Sequence, residues 1–224
     1  MSDVQGESEA GKAVQPLRVV VIDDHEVLRA GTRQVLETSD DIVVVGEAAS
    51  WDAALAVIDE HRPDIALVDI QLAGHNGIDL ARQLSSDHPG TRVVILSAYD
   101  DDAFIRRAFD AGVAGYLLKT MPRDELINAV RAVGMGTTVV DPAVSTRLAQ
   151  AAASPSAGAP RLTLREQEVV ALVADGLSNK AIASRLGVST RTVEGHVNHV
   201  FTKLDLESRT ELVRYVLTNG LPST

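Results

Sequence analysis

Asp69 ends a dry stretch of chain. Residues 65–69 read IALVD and run into a loop that carries Gly74 and Gly77. A carboxylate at the end of an apolar run costs free energy to bury unless something pairs with it. Three other apolar runs in the same part of the chain also end on polar groups. LRVVVI (17–22) runs into Asp23 and Asp24, RVVILS (92–97) ends on Ser97, and GYLL (115–118) runs into Lys119. If these runs are neighbouring parallel strands, their carboxyl ends share the edge where open α/β sheets bind ligands. Three carboxylates, a hydroxyl and an ammonium would then meet there. Like charges that close require a counter-ion. Lys119 supplies one positive charge, and Mg²⁺ suits a few carboxylates on separate loops because it prefers oxygen ligands. A carboxylate beside such a cation can attack phosphorus and form an aspartyl phosphate, with the metal and Lys119 neutralising the transferring oxygens. Ser97 can hydrogen-bond a phosphoryl oxygen. Asp69 is the best nucleophile, because it stands alone with apolar residues before it and a glycine-bearing loop behind. Taken singly, each residue has an ordinary reading: Asp24 as the cap of a helix starting at His25, Lys119 as a solvated surface charge. Their joint occurrence at four strand ends favours the site.

The elements that must position these groups are legible as an alternation. Apolar runs near 17–22, 42–48, 64–68, 92–97 and 115–118 are rich in Val, Ile and Leu, as strands covered on both faces are. Helical patterns at 26–38, 51–61, 77–87, 101–111 and 123–135 separate them. Five such repeats predict an α/β domain with a five-stranded, doubly wound parallel sheet and helices on both faces. Residues 1–16 read as a disordered polar arm. At 137–160, Asp141 and Pro142 can start a short helix, and ASPSAGAP then reads as a flexible linker.

Residues 161–224 contain no strand-like run. Thr163 with Glu166, and Ser208 with Glu211, have capping-box spacing. Ser178 and Ser189 can cap two further helices, and Gly176, Gly187 and Gly220 can end helices. Four helices with tight turns make a small all-α domain. NKAIASRLGVSTRTVEGHV has a helix-turn-helix pattern, packed through Ala181, Ile182, Leu186, Val188 and Val193, whose second helix can enter a major groove. The candidate DNA contacts are Lys180, Thr190, Arg191, Thr192, Glu194, His196, Asn198 and Lys203, types suited to phosphates and base edges. Glu194 can accept from a cytosine amino group or orient an arginine. Helical pairs of this size also serve as protein-binding bundles.

Composition narrows the classes. The chain has 224 residues, 45% hydrophobic, no cysteine and a formal net charge of −10. Disulfides and thiolate metal sites are therefore excluded. No signal-peptide core and no run near the roughly 20 apolar residues of a membrane span is visible, so a cytoplasmic protein with no membrane partner is expected. The negative charge resides in residues 1–160, at −11, whereas residues 161–224 carry +1. A near-neutral domain can still present a basic face to double-stranded DNA. An acidic first domain can also mask the basic side of the second.

VVIDDHEVLRAGTRQVLE, PDIALVDIQLAGHNGIDLARQL, VVILSAY and AFDAGVAGYLLK resemble the receiver domain of two-component response regulators of the NarL/FixJ class, over about residues 17–136. The resemblance implies a flavodoxin-like fold. It implies that a cognate histidine kinase phosphorylates Asp69, and that Asp23 and Asp24 hold Mg²⁺, with Asp24, Asp69 and the Gln71 backbone carbonyl as direct ligands. Ser97 and Lys119 would be the switch hydroxyl and the phosphate-binding lysine. Tyr116 matches the aromatic that swings inward as the hydroxyl moves. Two positions depart from the pattern: Ala73 where proline is usual, and His75 where an apolar residue is common. Residues 162–213 resemble the LuxR-type DNA-binding domain. That implies a homodimer on repeated DNA sites, with Leu212, Val213, Val216 and Leu217 as the dimer face.

The expectation is a phosphorylation-switched transcription regulator. A Mg²⁺-dependent phosphohydrolase is the rival from another class. It needs a second acid two residues after the nucleophile for proton transfer, and Gln71 stands there. Slow self-dephosphorylation is still expected. A DNA-binding protein whose receiver works without phosphate is the third reading, and the intact acid set disfavours it.

Overall fold

A computed structural model of the chain describes residues 15–72, 74–146, 162–206 and 208–220. The expected polar arm, apart from residues 15 and 16, the linker at 153–160 and Ala73 lie outside the described residues.

The first part is a wound α/β layer structure: β1 (Leu17–Ile22), α1 (Glu26–Leu36), β2 (Ile42–Ala48), α2 (Trp51–His61), β3 (Ile65–Asp69), β4 (Gln71–Leu72), β5 (His75–Asn76), α3 (Gly77–Asp87), β6 (Arg92–Ser97), α4 (Asp102–Asp110), β7 (Gly115–Leu118), α5 (Arg123–Gly134) and β8 (Val139–Val140). The main sheet has the order β2-β1-β3-β6-β7-β8, and all its pairings are parallel. Strand residues alternate between the two faces. Val20, Ile22, Ala66, Val68 and Ile95 pack with α2, α3 and α4, whereas Val19, Val21, Ile65, Leu67 and Val94 pack with α1 and α5. Burial on both faces is why the central stretches of these runs, such as Val19–Ile22, Ile65–Val68 and Val93–Leu96, are apolar without alternation.

The sheet corrects the sequence reading in one respect: it has six strands, not five. The sixth, β8, has two residues, Val139 and Val140, paired with Gly115 and Tyr116. A two-residue edge strand carries no periodicity to read. The segment after Asp69 is a small antiparallel hairpin, in which β4 pairs with β5. Gly74 turns it at a φ of +87°. Gly77 is needed for a different reason: a Cβ there would lie 1.8 Å from the Asp69 carbonyl oxygen.

Beyond the first part, a helical segment starts at Pro142, with the Asp141 carboxylate accepting from the Ala143 N–H at 2.9 Å. The second part consists of α6 (Leu164–Ala174), α7 (Asn179–Leu186), α8 (Thr190–Leu204) and α9 (Arg209–Asn219). Thr163 and Glu166 form a full capping box. Ser178, Ser189 and Ser208 each accept a backbone N–H at the start of their helices. This part has its own core, built on Leu162, Val170, Ile182, Val193, Val200 and Leu212. In α7 the buried alanine is Ala183, and Ala181 is exposed, because the helical period that buries Ile182 and half-buries Leu186 turns Ala181 outward.

Candidate functional site

The strand order places the site. β1 lies between β2 and β3, so the chain reverses its winding there, and the crevice between their carboxyl ends is the binding edge. Asp23 and Asp24 follow β1, and Asp69 is the last residue of β3. A ligand atom from each of Asp23, Asp24, His25 and Asp69 lies within 4.8 Å of the others. Lys119, just past β7, spans two of the acids, with Nζ 2.7 Å from Asp23 and 2.9 Å from Asp69. Helix α1 starts at Glu26 after His25, so Asp24 is not the helix cap and the simple structural reading of it is lost.

Burial governs the electrostatics. Asp69 is 5% exposed. Its carboxyl is pushed up to about 6: desolvation raises it most, the Lys119 ammonium pulls it back, and Asp23 raises it further. The acid pocket is therefore short of positive charge with Lys119 alone. Three clustered carboxylates form a hard oxygen set that fits Mg²⁺. His25 has its Nδ1 3.2 Å from Asp23 and 3.1 Å from Asp24, and its backbone N–H donates to Asp23 at 2.7 Å.

Ser97 is fully buried at the end of β6, and its hydroxyl accepts from the Tyr99 N–H at 2.9 Å. Tyr116 is also fully buried. Its hydroxyl donates to the Tyr99 carbonyl at 2.7 Å, and burial raises its pKa. The ring expected to swing inward is thus already inside. His75 is exposed and lies beside Trp51, with ring centroids 5.6 Å apart and the rings tilted at 45°.

The helix-turn-helix part brings a second set of residues to the same edge. One face of α8, spaced i, i+4, i+8 and i+11, carries Arg191, Gly195, His199 and Thr202. Arg191 pairs with Asp24 at 2.5 Å. Gly195 lies against the Gln71 side chain, where an added Cβ would come within 2.5 Å of its Nε2. His199 lies 3.2 Å from Gln71 Nε2, edge-on to Tyr99 and Phe104, with ring centroids 3.9 and 5.1 Å away. Asn76 donates to Thr202 at 2.9 Å. Beside this face, Lys203 bridges Asp101 at 2.9 Å and Glu166 at 3.0 Å. Desolvation pulls the His199 pKa down to about 4.

These contacts sort the candidate DNA residues. Lys180, Thr190 and Thr192 are exposed, and Glu194, His196 and Asn198 are partly covered. Arg191 and Lys203 are engaged with receiver carboxylates, and the Lys203 side chain is only 8% exposed. Of the four residues assigned to a dimer face, Leu212 is buried in the domain core, Val213 and Val216 pack against that core, and Leu217 is 81% exposed. Gln71, Asn76, Tyr99, Asp101, His199 and Thr202 were not singled out from the sequence as contact residues. For His199 and Thr202 the signal was the polar second face of α8, beside its Val193–Val197–Val200 core stripe; the four receiver residues carried none.

A phosphoryl-type acid pocket on a wound parallel sheet, joined to a helix-turn-helix domain, defines a two-part regulator. Comparison with known proteins agrees. Residues 19–131 match the response regulator receiver domain, and residues 160–216 match bacterial regulatory proteins of the luxR family. The chain is 37% identical over 215 residues to the oxygen regulatory protein NreC of Staphylococcus epidermidis, covering 92% of this chain and 99% of NreC. It is 35% identical over 205 residues to the response regulator protein VraR of Staphylococcus aureus, covering 92% and 98%. Among solved structures, the response regulator ChrA of a heme-sensing two-component system matches at 37% identity and a TM-score of 0.53, covering 92% of this chain and 98% of ChrA. This chain belongs to the response regulators, as a receiver coupled to a LuxR-type DNA-binding domain. It is a phosphorylation-dependent transcription regulator. Among the described residues, no helix is long and apolar enough to cross a membrane.

Proposed function

We propose that Asp69 is the phosphoryl acceptor and that its modification frees the DNA-reading helix from the receiver. The observation that carries this is the acid pocket, where buried Asp69 shares Lys119 with Asp23 and Asp24 is paired to Arg191 of α8. The donor is the phosphohistidine of a cognate histidine kinase. An Asp69 carboxylate oxygen attacks phosphorus, the P–N bond breaks, and its electron pair returns to the imidazole. Lys119 holds Asp69 ionised against the burial that raises its pKa, and neutralises the incoming phosphoryl oxygens. Asp24, Asp69 and the Gln71 backbone carbonyl would hold Mg²⁺, with Asp23 behind them, and the ion would neutralise part of the transferring charge. Ser97 gives its hydroxyl to a phosphoryl oxygen, which disturbs its contact with the Tyr99 N–H. Because Tyr116 is bonded to the Tyr99 carbonyl and Tyr99 packs on His199, that disturbance reaches α8 directly. The Gln71 side chain faces Tyr99 and His199 and brings no carboxylate for turnover, so loss of the phosphoryl group is slow self-hydrolysis.

In this reading residues 17–136 are the receiver, 137–160 a short helix and linker, and 161–224 the DNA-binding domain. The freed α8 presents Thr190, Arg191, Thr192, Glu194, His196, Asn198 and Lys203 to DNA, with Lys180 on a flanking phosphate. The protein works in the cytoplasm as a homodimer when phosphorylated or DNA-bound, with Leu217 at the centre of the α9 face. The test is DNA binding with and without a small phosphodonor, for wild type and Asp69→Asn. Mg²⁺-dependent labelling and a gain in DNA affinity are expected for wild type only. Labelling that survives in Asp69→Asn contradicts the assignment.

A further inference from the structure

We propose that Arg191 is a built-in substitute for the metal ion: it occupies the cation position at Asp24 while α8 is docked, so that Mg²⁺ binding alone, before any phosphoryl transfer, loosens the DNA-reading helix. This rests on the proposed phosphoacceptor reading and adds to it a competition between the metal and a DNA-contacting side chain.

Charge and distance carry the inference. The pocket holds three carboxylates, and Lys119 contacts only Asp23 and Asp69 among them at salt-bridge distance. The remaining acid, Asp24, is 8% exposed at its side chain, and its Oδ1 is met by Arg191 Nη2 at 2.5 Å. The guanidinium thus supplies the positive charge that the acid set lacks. The same Nη2 lies 3.3 Å from His25 Nδ1, which itself faces Asp23 and Asp24, so the Arg191 head group reaches the acid cluster while its side chain stays half exposed. A Mg²⁺ ion ligated through Asp24 sits about 2.1 Å from its carboxylate oxygen. It cannot share that oxygen with a guanidinium without close like-charge repulsion. Arg191 is also the first strongly basic residue of the recognition helix, and it cannot pair with a DNA phosphate while it pairs with Asp24. One side chain therefore has two exclusive partners, and the metal decides between them. Thermodynamic linkage makes the effect reciprocal: Mg²⁺ weakens docking by the factor by which docking weakens Mg²⁺ binding.

The experiment uses the full, unphosphorylated chain stripped of metal. Mg²⁺ binding is measured by titration calorimetry for wild type, Arg191→Ala and Thr202→Val, and the radius of gyration is followed by small-angle scattering. Thr202→Val removes the bond from Asn76 and weakens docking without changing any charge. Arg191→Ala should bind Mg²⁺ on the order of tenfold more tightly than wild type. Thr202→Val should shift in the same direction by a smaller factor. Wild type should expand as Mg²⁺ saturates. Equal Mg²⁺ affinities in wild type and Arg191→Ala, or no expansion of wild type, overturn the proposal. Tightening in Arg191→Ala but not in Thr202→Val also overturns it, because local charge alone would then explain the effect. Phosphodonor labelling of the same wild-type sample separates the two levels. Labelling at Asp69 without Mg²⁺ coupling removes this competition and leaves the phosphoacceptor reading standing. Absence of labelling removes the reading itself.

Discussion

Acidification should undock α8 through His199. The ring is 6% exposed, enclosed by Tyr99, Phe104 and the Gln71 amide of the receiver, and desolvation lowers its pKa to about 4 from the ordinary 6.5. The charged groups around it are Glu166, His196 and Lys203 on its own domain and Asp101 on the receiver; the two acids raise its pKa, and His196 and Lys203 lower it. A depressed histidine pKa means that the docked state prefers the neutral ring. That preference is fully present above the free ring's value and is lost as pH falls towards 4. At pH 5.5 a free ring is about 90% protonated and the docked one about 3%. The difference weakens docking by about 1.4 kcal/mol, or roughly tenfold in the closed-to-open ratio, if undocking restores the ordinary pKa. The assay is small-angle scattering of the full chain in metal-free buffer between pH 8 and 5.5, with His199→Gln as the neutral counterpart. Wild type should expand as pH falls, and the variant should show a smaller change across the same range. Superimposable pH profiles for the two proteins would refute the reasoning.

Three further outcomes follow from the geometry. Lys203→Met strands Asp101 and Glu166 without their shared ammonium; loss of one partner of such a part-buried network should cost about 3 kcal/mol, read as a lower denaturant midpoint. Gly77→Ala drives a methyl group into the Asp69 carbonyl and should lower stability by roughly 3 kcal/mol or more while impairing phosphodonor labelling, read by thermal unfolding and labelling rate. Asp69→Asn should raise stability in metal-free buffer at pH 7. The raised pKa of Asp69 means that its contribution is intact below about 4 and lost as pH rises through about 6. The gain is at most about 3 kcal/mol, reduced by the loss of the Lys119 pair, and should shrink at pH 4 in matched melts.

Much of the site was readable along the chain because its parts are local. Asp23, Asp24, Asp69, Ser97 and Lys119 each follow or end an apolar run, and parallel strands with right-handed crossovers leave few ways to arrange those ends. The capping box at Thr163 and Glu166 and the glycine stops of α6, α7 and α9 are likewise set within a few residues. The two-residue β8 was invisible because it has no period of its own, and the need for Gly77 arises only where the hairpin folds back on Asp69.

By itself the sequence determined two domains' worth of elements, the acid edge and a helix suited to DNA. Only the tertiary structure decided where that helix rests. Arg191 and Lys203 read along the chain as DNA contacts, yet they meet Asp24 and Asp101 across more than a hundred residues. His199 and Thr202 carried no assignment until Gln71, Tyr99 and Asn76 were placed against them. Periodicity and capping act over one or two turns, whereas docking depends on side-chain complementarity between surfaces that no local rule brings together.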